Sequence, residues 1–263
     1  MSQSGPAVAT TPVRWTLGPA DLAGAAADTA AAGPLDAVAP GLRRVRDAAG
    51  RVVATLAGGN PLAEDWPVPA AEAIEGDLIL WSGTLGPDLS VAHPHTWMGP
   101  GRQRLAARVA DLVPRVRAAG GRLLLRAHAR QVLSDPPSVR AFLAERATEG
   151  FGEQVGLVLE PAALFEASML GPEAPDHLER ILAGLGDLTA VLLESDVRRP
   201  AAVAAPGDGG GEAGGAFDPT GPCPHLTAPG TGELPAADLQ RLVDRWIDPA
   251  VPRLAWAGRV AGL

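Results

Sequence analysis

Eight short apolar runs punctuate the chain: "VRWTL" (13–17), "LDAVAP" (35–40), "RVVATLAG" (51–58), "DLILWSG" (77–83), "RLLLRAH" (122–128), "VGLVLEP" (155–161), "TAVLLESD" (189–196) and "RLAWAG" (253–258). Most lack the strict alternation of a half-wet strand. They suit strands buried on both faces, as in a parallel sheet. Between most of them the apolar period lengthens to that of a helix. Residues 102–121 place Leu105, Val109, Leu112 and Val116 on one face and end in Gly120 and Gly121, a stop signal. Pro114 inside that stretch predicts a kink or a split. "SDPPSVRAFLAERATEG" opens with Ser134 or Asp135 as cap and has prolines in its first turn. "DHLERILAGLG" and "PAADLQRLVDRWI" carry further apolar stripes. "GLRRVRDAAG" (41–50) is expected to be a short helix after the second run.

Eight strands alternating with helices in 263 residues predict an α/β fold, a single-domain (β/α)8 TIM barrel spanning 13–263 after a flexible N-terminus at 1–12. An open doubly wound sheet is the competing architecture, but no GxGxxG follows any of the runs. One segment breaks the rhythm. Residues 200–232, after the seventh run, are dominated by Gly, Pro and Ala. A stretch of that length is either a functional lid or an unstructured insertion.

Composition narrows the chemistry. All 22 basic residues are arginine, and there is no tyrosine. The absence of lysine excludes Schiff-base catalysis and a GxxxxGK[ST] phosphate loop. A net charge of −8 argues against a nucleic-acid groove, which needs clustered cations. The single Cys223 cannot form an internal disulfide, and the opening residues lack the pattern of an export signal. No apolar run approaches the roughly 18 residues of a membrane span. A cytoplasmic setting is expected, with no membrane partner.

From Leu105 onward, the order of "LLLRAH", "LVLEPAALF", "AVLLESD" and "APGTGELPAADL" resembles the xylose isomerase-like TIM barrels, the superfamily of sugar phosphate isomerases and epimerases. That resemblance implies a proton transfer beside a carbonyl, assisted by a divalent metal. It also implies where the metal ligands should stand. The fifth-strand Glu of the pattern is Arg126 here. The sixth-strand Asp is Glu160, and its partner His is Ala163. The seventh-strand His falls on Leu193, and the eighth strand offers Trp256 in place of a carboxylate. Guanidinium does not ligate metals. The metal site is therefore expected to be degenerate, with no metal or other cofactor bound.

The candidate catalytic residues are Glu160 and His128, either of which could move a proton. The candidate ligand contacts are Arg126, Asp196, Arg198, His93, His95 and Trp81. Arg126 could bind a carboxylate or phosphate of a small ligand, or pair with Glu160 as a structural ion pair. His128 could be an acid or base, or a hydrogen-bonded wall residue. His93 and His95, in "VAHPHTW", form a His-x-His pair in the loop after the fourth run, and Trp81 could stack on a sugar ring or fill the core. Two functions follow from this reading. One is an isomerase or epimerase-like barrel acting on, or binding, a small polyhydroxylated or phosphorylated compound. The other is a non-catalytic barrel that binds a ligand or a partner protein.

Overall fold

A computed structural model describes residues 14–17, 37–39, 41–47, 49–199, 223–227 and 229–256. The 1–12 segment and most of the Gly-rich 200–232 segment lie outside the described residues. The strands are β1 (Arg14–Leu17), β2 (Ala37–Ala39), β3 (Leu42–Arg46), β4 (Val52–Ala57), β5 (Asp77–Trp81), β6 (Leu123–Arg126), β7 (Val155–Leu159), β8 (Thr189–Glu194), β9 (Asp196–Arg198), β10 (His225–Thr227) and β11 (Arg253–Trp256). The helices are α1 (Gly99–Ala118), α2 (Pro136–Thr148), α3 (Ala174–Leu185) and α4 (Ala236–Trp246). All eight apolar runs of the sequence contain a strand.

The main sheet has the order β1-β11-β8-β7-β6-β5-β4-β3-β2. From β4 through β8 and β11 to β1 every pairing is parallel, whereas β3 runs antiparallel to both β2 and β4. β1 also lies against β3 near the other end, so the sheet curls round on itself. A short antiparallel pair, β9 with β10, forms a separate two-stranded sheet. The result is an α/β fold built on a curled, mostly parallel sheet. The strand–helix alternation of a barrel holds from β5 onward. Between β1 and β5 no α-helix occurs among the described residues.

The expected helix at 41–50 is corrected by β3. Leu42 and Val45 are three apart, a spacing that suits one face of a helix. In a strand the same two residues face opposite sides. Leu42 indeed packs in the helix-side core, and the fully buried Val45 in the core on the opposite face. A turn completes the hairpin to β4: the Asp47 carboxylate accepts the N–H groups of Ala49 and Arg51 at 2.9 Å, and Gly50 supplies φ 78°.

α1 runs unbroken through Pro114, which is exposed, so the carbonyl that loses its donor lies on the wet side. Asp135, one of the two expected caps, opens α2. Its carboxylate accepts from Ser138 N–H at 2.7 Å, and Ser138 Oγ accepts from Asp135 N–H at 3.1 Å.

Two apolar layers result. The larger lies between the sheet and the helices. The smaller, on the concave face, gathers Val45, Ala54, Leu56, Ile79, Leu124, Val158, Val191, Leu193 and Leu254. This alternation positions the site. Ile79, Leu124 and Val158 face inward, so Trp81, Arg126 and Glu160, each two residues further on, point inward as well, at the carboxyl ends of adjacent strands.

Candidate functional site

Trp81 and Arg126 are register partners at the ends of β5 and β6. Glu160 follows the end of β7. Arg126 Nη2 donates to Glu160 Oε2 at 2.6 Å, and the guanidinium carbon lies 3.5 Å from the centre of the Trp81 ring. The side chains are 1% and 0% exposed, so this is a fully enclosed ion pair capped by an aromatic face. Such a pair is tolerated only where its other polar atoms are also satisfied. Here they are not: Arg126 Nε and Nη1 and Glu160 Oε1 are buried without a hydrogen-bond partner among the described residues. Ser195 Oγ, just beyond β8, is likewise buried with no partner among the described residues.

His128 stands two residues past Arg126, with its ring edge-on to Trp81 at 5.6 Å. Its Nδ1 accepts the Arg130 N–H at 3.1 Å, which leaves the proton on Nε2, 3.9 Å from Cys223 Sγ. Burial, and then the charges of Arg126 and Arg130, push the imidazole down to about 3. Burial also raises the Cys223 thiol to about 11. At neutral pH both groups are uncharged. The imidazole can donate from Nε2, but its Nδ1 lone pair is already engaged.

Three features of this mouth were not singled out from the sequence. Arg130 forms a two-pronged ion pair with Glu166, Nε–Oε1 and Nη2–Oε2 both at 2.8 Å, and Nη1 reaches the Ser90 carbonyl at 3.2 Å. Gln131 Oε1 accepts from Gly83 N–H at 3.0 Å and from the Ser82 hydroxyl at 3.3 Å. Together these tie the loops after β5, β6 and β7 to one another. The third feature is Ser195. The only sequence signal for the second ion pair was a charge following each member of the first, as in "RAHAR" and "EPAALFE".

The other candidates lie elsewhere. Asp196 is buried, but its oxygens are occupied. Oδ1 accepts the N–H groups of Val197 at 2.7 Å and Leu234 at 2.9 Å, and Oδ2 accepts that of Gly232 at 2.8 Å. A Cβ on Gly232 would collide with that carboxylate, which accounts for glycine in "PGTGEL". Arg198 is exposed and donates to the Thr231 carbonyl. Asp196 and Arg198 therefore anchor the loop before α4. His93 and His95 flank a short helical turn, Pro94–Thr96, with their rings edge-on at 5.4 Å. No contact joins either histidine to Arg126 or Glu160.

A divalent metal, implied by the resemblance, does not fit here. The carboxylate that could ligate it is held by a guanidinium, Ala163 and Leu193 offer no donor, and no group of three His, Cys, Asp or Glu gathers among the described residues. No step is derived through a metal.

The fold and site define an α/β protein with a curled parallel sheet and a buried arginine–glutamate pair at the carboxyl ends of its strands. The solved structures it is similar to are xylose isomerase-like TIM-barrel proteins and a sugar epimerase. One is a xylose isomerase-like TIM barrel protein from Mycobacterium smegmatis in complex with magnesium, 14% identical over 71% of this chain and 56% of that one, TM-score 0.44. Another is a xylose isomerase domain protein from Planctomyces limnophilus, 11% identical over 70% and 51%, TM-score 0.40. A third is 3-keto-D-glucoside 4-epimerase from E. coli, 11% identical over 72% and 58%, TM-score 0.39. The match covers only slightly more than half the length of each. No protein-family model matches the chain, and no curated protein does. Among the described residues no helix is long and apolar enough to cross a membrane.

Proposed function

We propose that the chain is a xylose isomerase-like (β/α)8 barrel that binds a small polyhydroxylated or phosphorylated compound over the Arg126–Glu160 pair without a divalent metal. The family part of the reading rests on the ordered motifs from Leu105 onward. The binding part rests on one observation: a fully buried ion pair whose Arg126 Nε and Nη1 and Glu160 Oε1 lack partners among the described residues. Hydroxyl or oxyanion groups of a ligand satisfy that set, accepting from Arg126 and donating to Glu160. Trp81 forms the floor under the guanidinium, and neutral His128 forms part of the wall. If chemistry is retained, Arg126 stabilises the developing oxyanion and Glu160 moves the proton.

The engagement of His128 Nδ1 and the closure of the pair favour a second reading, in which the barrel binds its ligand without turning it over. Thermal unfolding in the presence of neutral sugars, polyols, sugar acids and sugar phosphates tests binding. A ligand at 100 times its dissociation constant stabilises the protein by about 2.7 kcal/mol. That shift is expected in the wild type and not in Arg126→Leu. A full panel that leaves the wild type unmoved removes the ligand-binding reading, and product formation separates turnover from binding alone.

A further inference from the structure

Arg126 and Glu160 are 1% and 0% exposed, so a ligand reaches them only after part of the mouth moves. The turn after β6 is fixed. Ala129 N–H donates to the Ala163 carbonyl at 2.9 Å, Val132 N–H to the Gly83 carbonyl at 3.0 Å and Gly83 N–H to Gln131 Oε1 at 3.0 Å. The loop after β5 is held differently. At its base the hydroxyls of Thr84 and Thr96 meet at 3.0 Å, and Leu85 N–H donates to Thr96 Oγ1 at 2.9 Å. Above that base the chain pinches: a Cβ on Gly86 would lie 3.4 Å from His93 Cβ. Residues 86–93 thus leave and return at one neck, and none of them is buried. A compact surface loop with closed ends and few buried contacts opens at low cost. Its tip lies on the mouth. Arg130 Nη1 donates to the Ser90 carbonyl at 3.2 Å, while Nε and Nη2 of the same guanidinium grip Glu166. Besides burial, the charges of Arg130, Glu166 and Asp88 act on the Cys223 thiol, which lies 3.9 Å from His128 Nε2. Asp88 of the loop and the Arg130–Glu166 pair therefore stand around the same point of the mouth.

We infer that residues 86–93 are a lid over the mouth, turning on the Thr84–Thr96 base and latched at its tip by Arg130. The post is Arg130, because its own turn is bonded to the ends of β5 and β7. The moving part is the loop, which carries no buried side chain to hold it down. Glu166 keeps the guanidinium fork oriented so that Nη1 meets the Ser90 carbonyl. Releasing that bond lifts the tip away from His128 and Cys223 and opens the way towards Trp81 and the Arg126–Glu160 pair. What the lid admits follows from the binding reading above, whereas the opening itself does not depend on it.

Cys223, the single cysteine of the chain, is the reporter. Its alkylation by N-ethylmaleimide in the full chain needs no sugar, so the result stands apart from the ligand panel. Replacing residues 87–92 by Gly-Gly removes the lid at its neck and should speed alkylation by about 10-fold or more, the factor that a hydrogen bond to a charged group is worth. Asp88→Asn, which removes the loop's charge and keeps the loop, should give only a small part of that rise. Arg130→Lys keeps a cation beside Glu166 but lacks the fork that also reaches Ser90. It should speed alkylation in the intact chain and have no further effect once the lid is shortened, with the circular dichroism spectrum unchanged. Equal rates in the wild type and a folded lid-shortened variant overturn the lid, as does a rise that Asp88→Asn reproduces in full. An Arg130→Lys effect of the same size with and without the lid overturns the latch. So does an Arg130→Lys chain that reacts no faster than the wild type, whether or not the shortened variant folds.

Discussion

Arg126 and Glu160 each leave polar atoms open, yet each is the main compensation for the other's charge. Removing one member leaves a buried, uncompensated ion, which costs about 3–5 kcal/mol. Arg126→Leu alone is therefore expected to destabilise the protein by that amount in urea unfolding, with an added loss from the Trp81 contact. The double change Arg126→Leu with Glu160→Leu should recover most of it, because no charge is then buried. A loss in the double variant equal to the sum of the losses in the two single variants would show that the pair is not coupled. His128 gives a separate test. Its folded pKa, about 3, lies below the 6.5 of a free imidazole, so the unfolded chain binds the extra proton first as pH falls. The contribution is complete above pH 6.5 and is lost as pH drops from 6.5 towards 3, at a slope of up to about 1.4 kcal/mol per pH unit. His128→Asn keeps an acceptor for the Arg130 N–H and cannot titrate. The wild-type stability minus that of His128→Asn should fall across this window. A flat difference would mean that the folded imidazole accepts its proton normally. The first ion pair was legible because Arg126 stands at a strand end where the resemblance calls for a carboxylate. Ser195 and Gln131 were not, since a buried serine or glutamine looks the same in sequence as an exposed one.

At the scale of elements, what was legible depended on how many residues shared one period. Runs such as "RLLLRAH" and "VGLVLEP" are apolar over several consecutive positions, and each contains a strand. Asp135 was named as a possible cap because the prolines after it fit the first turn of a helix, and the reciprocal bonds with Ser138 are in place. "LRRVR" failed for a physical reason. With two apolar residues three apart and arginines between, it satisfies a helical stripe as well as a strand that is buried on both faces. Its outcome was decided by a distant partner, β4, to which five of its residues are paired. Asp196 shows a different limit. A carboxylate at the end of a strand on the active face of a barrel reads as a ligand contact, but here the loop before α4 folds back onto it. Three N–H donors from that loop and its own neighbour fill both oxygens. Which donors reach a carboxylate is a property of chain return, and spacing in the sequence does not carry it.

At the scale of the whole molecule, the curled sheet brings the carboxyl ends of β5, β6, β7 and β8 to one side, and the loops that leave those ends knit together. Arg130 with Glu166, Gln131 with Ser82 and Gly83, and His128 with Cys223 all close over the same mouth. A divalent metal at that mouth would have to displace a guanidinium from a carboxylate at 2.6 Å, and among the described residues it would find no second carboxylate or imidazole joined to the pair. Arg126 brings a fixed positive charge to the place where the resemblance puts the ion, and it does so as part of the folded chain. Binding there should therefore be insensitive to metals. A metal that bound the folded protein at a hundred times its dissociation constant would stabilise it by about 2.7 kcal/mol. Millimolar magnesium, manganese, cobalt or zinc is accordingly expected to leave the unfolding temperature where EDTA leaves it, and metal analysis after dialysis should find less than one equivalent. A stabilisation that saturates with one ion per chain, and that Glu160→Gln abolishes, would place a metal at Glu160. Arg126 would then have to swing away from the pair, and the assignment of its charge as the substitute for the ion would fail.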